Sequence, residues 1–168
     1  MKLKRILPAV MTWLAVSVFA MSQALLAPLA ALISADFGHG LGWSGLLFAA
    51  GCIPYIVVGP FAGRLLSAAG RHFSVSLALA VGAVSAVCLS YADRFWLVCL
   101  GLALLGTAAV FVLPAGAAAV SALGRMPVAD CMPSCAAAAS LGAVFGAACG
   151  GVMTHLGYGW RKVYFVFG

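Results

Sequence analysis

Residues 95–124 read FWLVCLGLALLGTAAVFVLPAGAAAVSALG, a stretch without Lys, Arg, Asp or Glu. A helix needs about 20 apolar residues to cross the hydrocarbon core of a bilayer, so this stretch is long enough to span a membrane. Similar stretches without these charged residues cover residues 6–35, 37–63, 73–92 and 131–154. The pattern predicts an all-α membrane protein with five transmembrane helices.

The composition supports the same interpretation. Hydrophobic residues make up 65% of the chain and charged residues 7%, and the mean hydropathy is +1.18. About a quarter of the residues of soluble domains are charged, so the sequence indicates a protein surrounded by the lipid bilayer. The formal net charge of +6 comes from basic residues spread among the loops between apolar stretches. They form no continuous patch, and we expect no nucleic-acid partner.

The predicted helices form a single membrane domain over residues 1–168. They cover residues 6–34, 43–63, 73–92, 95–122 and 134–156, and a sixth helix starts at residue 162. Residues 163–168 amount to about 9 Å of helix at ~1.5 Å per residue, against a hydrocarbon core of about 30 Å. We therefore expect the sixth helix to be a stub and the chain to be a fragment of a longer membrane protein.

Basic residues at alternate ends of the predicted spans indicate the orientation in the membrane. Six fall on the side of the N-terminus: Lys2, Lys4, Arg5, Arg64, Arg71 and Arg125. Three fall on the other side: Arg94, Arg161 and Lys162. Loops rich in Lys and Arg stay on the cytoplasmic side, so the N-terminus is predicted to be cytoplasmic. The expected location is the inner membrane of a bacterium.

Polar residues within the predicted spans are the candidates for solute contact. Charged residues are missing from the middle of every span, so the pattern indicates no intramembrane proton carrier. An unpaired amide in hydrocarbon is costly, and we expect Gln23 to face another helix or a wet cavity, with both interpretations open. If a solute is transported, Gln23, Tyr55 and Thr107 are the candidate cavity residues, acting as neutral hydrogen-bond partners.

Proline and acidic residues mark further positions of interest. Pro28 lies deep in the first predicted helix, and Pro114 lies at a similar depth in the fourth. Matching interruptions point to a binding site in transporters built from repeats, but proline is also common in membrane helices. The first interpretation makes helices one and four the cavity walls. Asp36 and Asp93 lie at span ends, where we interpret them as capping or loop residues rather than proton carriers.

Glycines recur at every fourth position of the fifth predicted helix, at Gly142, Gly146 and Gly150. Small residues at this spacing form a flat ridge that lets two helix backbones approach closely. We predict that this ridge packs against another helix.

The sequence predicts no enzymatic site. It has no nucleophile with a neighbouring base and no glycine-rich phosphate loop between a strand and a helix. Cys131 and Cys135 lie one helical turn apart, but no histidine or second cysteine pair accompanies them on that side of the membrane. We expect no cofactor and no bound metal.

Residues 63–72 read GRLLSAAGRH and form a short loop between the second and third predicted helices. This loop resembles the signature loop of the major facilitator superfamily, Gly-x-x-x-Asp-Arg-x-Gly-Arg-Arg. Gly63, Gly70 and Arg71 match that pattern, whereas Ser67 and Ala68 replace its Asp and Arg. The resemblance implies that the three matching residues shape the cytoplasmic gate loop of a transporter. The acidic residue that helps to lock the family's two halves together is absent here.

Two other stretches are similar to the same family. Residues 33–38, ISADFG, resemble the end of its first helix. Residues 146–151, GAACGG, followed by Gly159, Trp160 and Arg161, resemble its fifth-helix motif and the start of its sixth helix. The resemblance covers essentially the whole chain and corresponds to the first of the family's two halves. It implies a secondary transporter of small solutes whose two six-helix halves rock about a central cavity, with the second half as a partner of this chain.

Two other functions stay open on the sequence. One is a non-transporting membrane module that pairs with another chain through its glycine-rich fifth helix. The other is a small homo-oligomeric exporter whose cavity forms between subunits. Such exporters usually show weak charge bias and carry an acidic residue within a helix, and neither feature is found here. The residues do not specify the substrate, the coupling ion or the direction of transport.

Overall fold

The computed structural model describes residues 3–69, 71–124 and 127–167, with side chains described over residues 7–64, 76–124 and 129–166. Within these ranges the chain consists of helices joined by short turns and contains no strand. The helices are α1 Leu3–Ala24, α2 Leu26–Asp36, α3 Gly42–Val57, α4 Gly59–Ala69, α5 Arg71–Ser90, α6 Phe95–Ser121, α7 Val128–His155 and α8 Trp160–Phe167. This architecture confirms the predicted all-α membrane fold.

Three helical stretches of the described chain are long and apolar enough to cross a membrane. They are Leu7–Asp36, Phe95–Ser121 and Ala129–His155. Two shorter apolar helices, Gly42–Val57 and Ser76–Ser90, lie between the first and second of these. That these two shorter helices also cross the membrane, which would make five spans, stays a prediction.

Proline residues explain why each of the first two predicted helices appears as two segments. Leu25 separates α1 from α2 and lies three residues before Pro28, whose ring clashes with the carbonyl of Ala24 and which has no N–H to donate. Leu25 keeps helical angles (φ −56°, ψ −28°), so the first span continues through this residue. Val58 separates α3 from α4 in the same way, two residues before Pro60.

The later helices begin earlier than their predicted first residues. Helix α7 begins at Val128, directly after the extended residue Pro127 (φ −50°, ψ 140°), and carries Pro133 inside it. Helix α8 begins at Trp160, after the turn at Gly157 (φ 77°). Helix α6 runs without interruption through Pro114. The apolar pattern locates each span, while the turn residues decide where its helix begins.

Helix α6 lies at the centre of the bundle. It contacts α1, α3, α5 and α7, while α1 packs along α7 and α5 packs along α6. The main buried cluster joins these helices to α8 through large side chains such as Leu29, Leu105 and Tyr164. A smaller buried cluster, formed by Ala117, Val120, Cys131 and Cys135 with Trp13 against it, lies near the opposite end of α6. Buried side chains therefore hold the helices together along most of the length of α6.

The glycine ridge of α7 lies directly against α1. A Cβ atom added at Gly142 would overlap the carbonyl oxygen of Ser17, and one added at Gly146 would overlap that of Met21. A Cβ atom at Gly150 would lie 2.7 Å from Cγ of Pro28. Ser17 also donates a hydrogen bond of 2.7 Å from its Oγ to the carbonyl of Ala138 on α7. The two backbones are therefore in contact, and only glycine fits at these positions.

Replacing Gly146 by alanine is expected to destabilise the bundle by about 1–3 kcal/mol, because the added methyl group would force α1 and α7 apart. Gly151 is the matched control on the same helix, since a Cβ atom there meets nothing within 4 Å. Gly151→Ala is expected to be neutral or to stabilise by up to about 1 kcal/mol through helix propensity. Denaturant unfolding in detergent, followed by helical circular dichroism, measures both. Equal losses in the two variants would contradict the backbone contact.

Candidate functional site

A cavity of about 410 Å³ opens between α1, α3, α6 and α7. Its lining residues are Val16, Phe19, Ala20, Gln23 and Ala24 of α1, Tyr55 of α3, Ala109 and Val112 of α6, and Ala139, Ser140 and Ala143 of α7. None of these residues is charged, and most are apolar. The cavity therefore offers an uncharged environment with a few polar groups. Both proline-containing helices that the sequence suggested as walls contribute to the lining.

Gln23 lines the cavity and also holds two helices together. Its Nε2 donates a hydrogen bond of 3.0 Å to the backbone carbonyl of Leu105 on α6. The amide is thereby partly satisfied in an apolar setting, as such a group requires. The amide oxygen accepts no hydrogen bond from the residues that the structure describes. The two interpretations left open by the sequence, a helix contact and a solute contact, are therefore compatible in one side chain.

Pro28 leaves the carbonyl of Ala24, next to Gln23 in the sequence, without its usual donor. In a regular helix the N–H of residue 28 would donate to the carbonyl of Ala24, and proline has no N–H. Ala24 ends α1 and is one of the cavity-lining residues. Its carbonyl has lost its regular helical donor at the edge of the cavity. This carbonyl is therefore a second candidate acceptor at the cavity, besides the amide oxygen of Gln23.

Tyr55 and Ser140 complete the polar lining from two other helices. The Tyr55 side chain on α3 is 48% exposed, and its hydroxyl forms no hydrogen bond within the described ranges. Ser140 on α7 donates from its Oγ to the carbonyl of Ala136 in its own helix at 2.9 Å. Ser140 is not among the cavity residues predicted from the sequence. The sequence holds a signal for this position. Ala143 lies three residues after Ser140 and four after Ala139, and residues at these spacings share one helix face.

Thr107 is not among the residues that line this cavity. Its Oγ1 donates to the carbonyl of Ala103 in the same helix at 2.8 Å. Thr107 lies two residues from the lining residue Ala109, which is about 200° around a helix of 3.6 residues per turn. The structure therefore brings Gln23 and Tyr55 to one cavity and places Thr107 on another face of α6.

The predicted gate loop falls at the edge of the described chain. Gly63 lies in α4, where it is exposed and a Cβ atom would meet nothing within 4 Å. Gly70 lies outside the described residues, and Arg71 begins α5 with its side chain outside them. The role of this loop stays a prediction.

Metal binding has no support in the described part of the chain. No group of three or more His, Cys, Asp or Glu residues is close enough there to hold an ion.

Asp36 forms a second polar cluster at the end of α2, away from the cavity. Nη1 of Arg161 lies 2.6 Å from Oδ2 of Asp36 in an ion pair. The indole Nε1 of Trp160 donates to the same oxygen at 3.0 Å. The two charged side chains are 37% and 45% exposed, so the pair is at the boundary between bundle and solvent. The sequence predicts a capping or loop role for Asp36, and the structure gives it partners at the start of α8.

Arg161 extends this cluster to a third helix end. Its Nε and Nη2 donate to the carbonyl of Ala92, at 3.3 Å and 3.0 Å. Its guanidinium carbon lies 4.3 Å from the ring centre of Trp160 and 5.7 Å from that of Phe37. Other rings pack around the same end: His39, Trp43, Phe95 and Trp96. We call this group, with Asp36 and Arg161, the outer cluster, and it joins α2, the α5–α6 loop and α8.

The sequence held a signal for the outer cluster. Asp36 and Arg161 have opposite charges and fall at span ends that the alternating topology places on the same side of the membrane. The two residues are 125 positions apart in the sequence, so their pairing could not be predicted from local patterns.

Comparison with known protein families gives the identity of this helical bundle. The family model described as Major Facilitator Superfamily matches residues 12–168. The chain belongs to the Major Facilitator Superfamily. This confirms the resemblance seen in the loop at residues 63–72 and in the glycine motif of α7. Neither a search of curated proteins nor a search of solved structures found a match.

Membership of the Major Facilitator Superfamily establishes the general function. The family consists of membrane transporters, so the chain is an integral membrane protein of transport function. The long apolar helices agree with this assignment. The cavity and the outer cluster are thus features of a transporter bundle.

The ion pair of the outer cluster is expected to contribute measurably to stability. In a double-mutant cycle, Asp36→Asn and Arg161→Gln should show a coupling free energy of about 0.5–1 kcal/mol, the range for a partly exposed pair. Thermal unfolding of the four proteins in detergent supplies the measurement. Asp93→Asn is the control, because this exposed carboxylate at the same end forms no ion pair with the described residues. Additive effects of the two substitutions would argue against the pair.

Proposed function

We propose that this Major Facilitator Superfamily chain forms one wall of a transport path for a small, uncharged and mainly apolar solute. The cavity between α1, α3, α6 and α7 is the proposed solute site. The observation that carries the proposal is the lining of this cavity, in which the described residues include no charged side chain and Gln23 is the main polar group. A volume of about 410 Å³ falls within the range of small-molecule pockets, about 300–1,000 Å³.

The lining supports an uncharged solute on electrostatic grounds. Moving an ion from water into an apolar cavity costs several kcal/mol unless a charged partner compensates. No lining residue of this cavity supplies such a partner. The amide oxygen of Gln23, the carbonyl of Ala24 and the hydroxyl of Tyr55 supply neutral hydrogen-bonding groups in its place. The alanine and valine residues of the other lining positions would bury the apolar part of the solute.

The cavity is open on one side, and we propose that a second set of helices closes it. The open side is marked by the exposed side chains of Tyr55 and Ser140. In transporters of this family, two helical halves rock about a central site and expose it to one side of the membrane at a time. The second set of helices would belong either to the same polypeptide or to a partner chain. Gly63, Gly70 and Arg71 are then the proposed cytoplasmic gate loop.

The orientation belongs to the same proposal. The excess of basic residues on the side of the N-terminus supports a cytoplasmic N-terminus in a bacterial inner membrane. The outer cluster then faces the external side.

Three probes of similar size test both the preference for an uncharged solute and the role of Gln23. Benzyl alcohol, benzylammonium and benzoate differ mainly in charge, and only the neutral alcohol is expected to bind measurably. Gln23→Leu should weaken its binding about two- to ten-fold, the equivalent of one net hydrogen bond of about 0.5–1.5 kcal/mol. Equilibrium binding of the radiolabelled probes to the purified protein measures these constants.

Thr107→Val is the matched control, because it removes a hydroxyl from α6 outside the cavity lining. It should leave the binding of benzyl alcohol unchanged. The proposal fails if the charged probes bind as well as the alcohol, or if Gln23→Leu and Thr107→Val have the same effect. If a transported solute is found that binds in the same way, Gln23→Leu should lower its flux into proteoliposomes by a similar factor.

A further inference from the structure

A second concave surface lies between the ends of α5 and α7 and the start of α8. It is a groove of about 520 Å³ that shares no lining residue with the solute cavity. Its apolar part is formed by side chains such as Met153 of α7 and Val163 and Val166 of α8. An apolar groove on the outside of a membrane bundle lies where lipid chains pack. The question is what covers its polar end.

Five of the lining side chains are polar or basic. They are Ser90, Tyr91, Tyr158, Arg161 and Lys162. Both charged lining residues are basic, and no acidic residue lines the groove. Tyr91 is 71% exposed and Tyr158 is 49% exposed, and tyrosines at span ends lie at the level of the lipid headgroups. The polar end of the groove therefore lies at headgroup depth and carries positive charge.

The two basic residues differ in how they are used. Arg161 is engaged by Asp36 and by the carbonyl of Ala92. Lys162 is exposed, and its ammonium group forms no hydrogen bond or ion pair with the residues described here. Arg161 is thus paired within the fold, whereas the charge of Lys162 is available to a molecule outside the chain.

The groove changes from cationic to apolar along the axis of α8. Lys162 lies in the first turn of α8, and Val166 follows four residues later. At about 1.5 Å per residue this places Val166 roughly 6 Å deeper along the helix. A molecule with an anionic head and an apolar chain matches both the charge and the direction of this gradient. A free anion would leave the apolar part of the groove uncovered.

We propose that this groove binds an anionic phospholipid. The phosphate accepts hydrogen bonds from Lys162 and from the hydroxyls of Tyr91 and Tyr158, and an acyl chain lies along Val163 and Val166. The attraction of about 1 kcal/mol that a basic residue gives to an anionic lipid surface supports the role of Lys162. The site is independent of the solute proposed for the cavity, because the two share no residue.

The test compares lipid retention by purified protein given equal amounts of phosphatidylglycerol and phosphatidylcholine in detergent. Native mass spectrometry counts the lipids that stay bound. The unaltered chain is expected to retain phosphatidylglycerol preferentially. Lys162→Gln should lower that preference about five-fold, which is the factor corresponding to about 1 kcal/mol. Lys162→Arg keeps the charge and should keep the preference.

Arg94→Gln is the matched control, since Arg94 is an exposed cation at the same end of the bundle and does not line the groove. It should leave the lipid preference unchanged. Equal losses in Lys162→Gln and Arg94→Gln would show a diffuse surface attraction and would overturn the proposal.

The acyl chain is tested separately from the headgroup. Val166→Trp fills the apolar part of the groove and is expected to reduce retention of both lipids. Undiminished retention in this variant would overturn the proposal, because the chain would then lie elsewhere. Inorganic phosphate added in excess is expected not to displace phosphatidylglycerol. Displacement by phosphate would identify a free-anion site and would also overturn the proposal. Helical circular dichroism of each variant establishes that the fold is kept.

Discussion

Helices in a bilayer gain little by burying apolar side chains against one another, because the surrounding lipid is equally apolar. They are held together instead by close packing and by hydrogen bonds between helices. In this chain the closest packing is between α1 and α7, where Gly142 and Gly146 bring the two backbones into contact. The bond from Gln23 to the carbonyl of Leu105 fixes the same α1 to α6. A similar glycine contact, in which a Cβ atom at Gly106 would overlap the carbonyl of Gly51, fixes α3 to α6.

These contacts also explain the position of the cavity proposed as the solute site. Helices α1, α3, α6 and α7 are held at short distances along parts of their length, and the cavity occupies the space between them. Pro28 adds a candidate acceptor beside that space, since it leaves the carbonyl of the lining residue Ala24 without its usual donor. Residues of α1 that hold the helices together are therefore also residues of the proposed solute site. Gln23 illustrates this, because one end of its amide ties two helices and the other end is open to the cavity.

The all-α membrane fold and the family were predictable from the sequence, whereas the grouping of residues into sites was predictable only in part. Long stretches without charge can form only helices in lipid, and a loop such as residues 63–72 is short enough to be recognised. Position along a span gives the depth of Gln23, Tyr55 and Thr107 but not their direction around the helix axis. Direction depends on which neighbours each helix packs against, and this separates Thr107 from the other two. The pair of Asp36 and Arg161 could not be predicted for a related reason. A carboxylate beside a turn fits a capping role, and only the packing of the helices shows that a distant cation lies against it.

The contact between α1 and α7 has a consequence for how the protein is made. Ser17 and Ala138, which are joined by a hydrogen bond across this contact, are 121 positions apart in the chain. A ribosome adds about 5–20 residues per second, so roughly 6–24 s pass between the synthesis of the two residues. During that delay α1 has to stay in the membrane without the α7 contacts at Ser17 and Met21. Assembly of this bundle thus depends on α1 remaining available, near the insertion machinery or in open lipid, until α7 has been made.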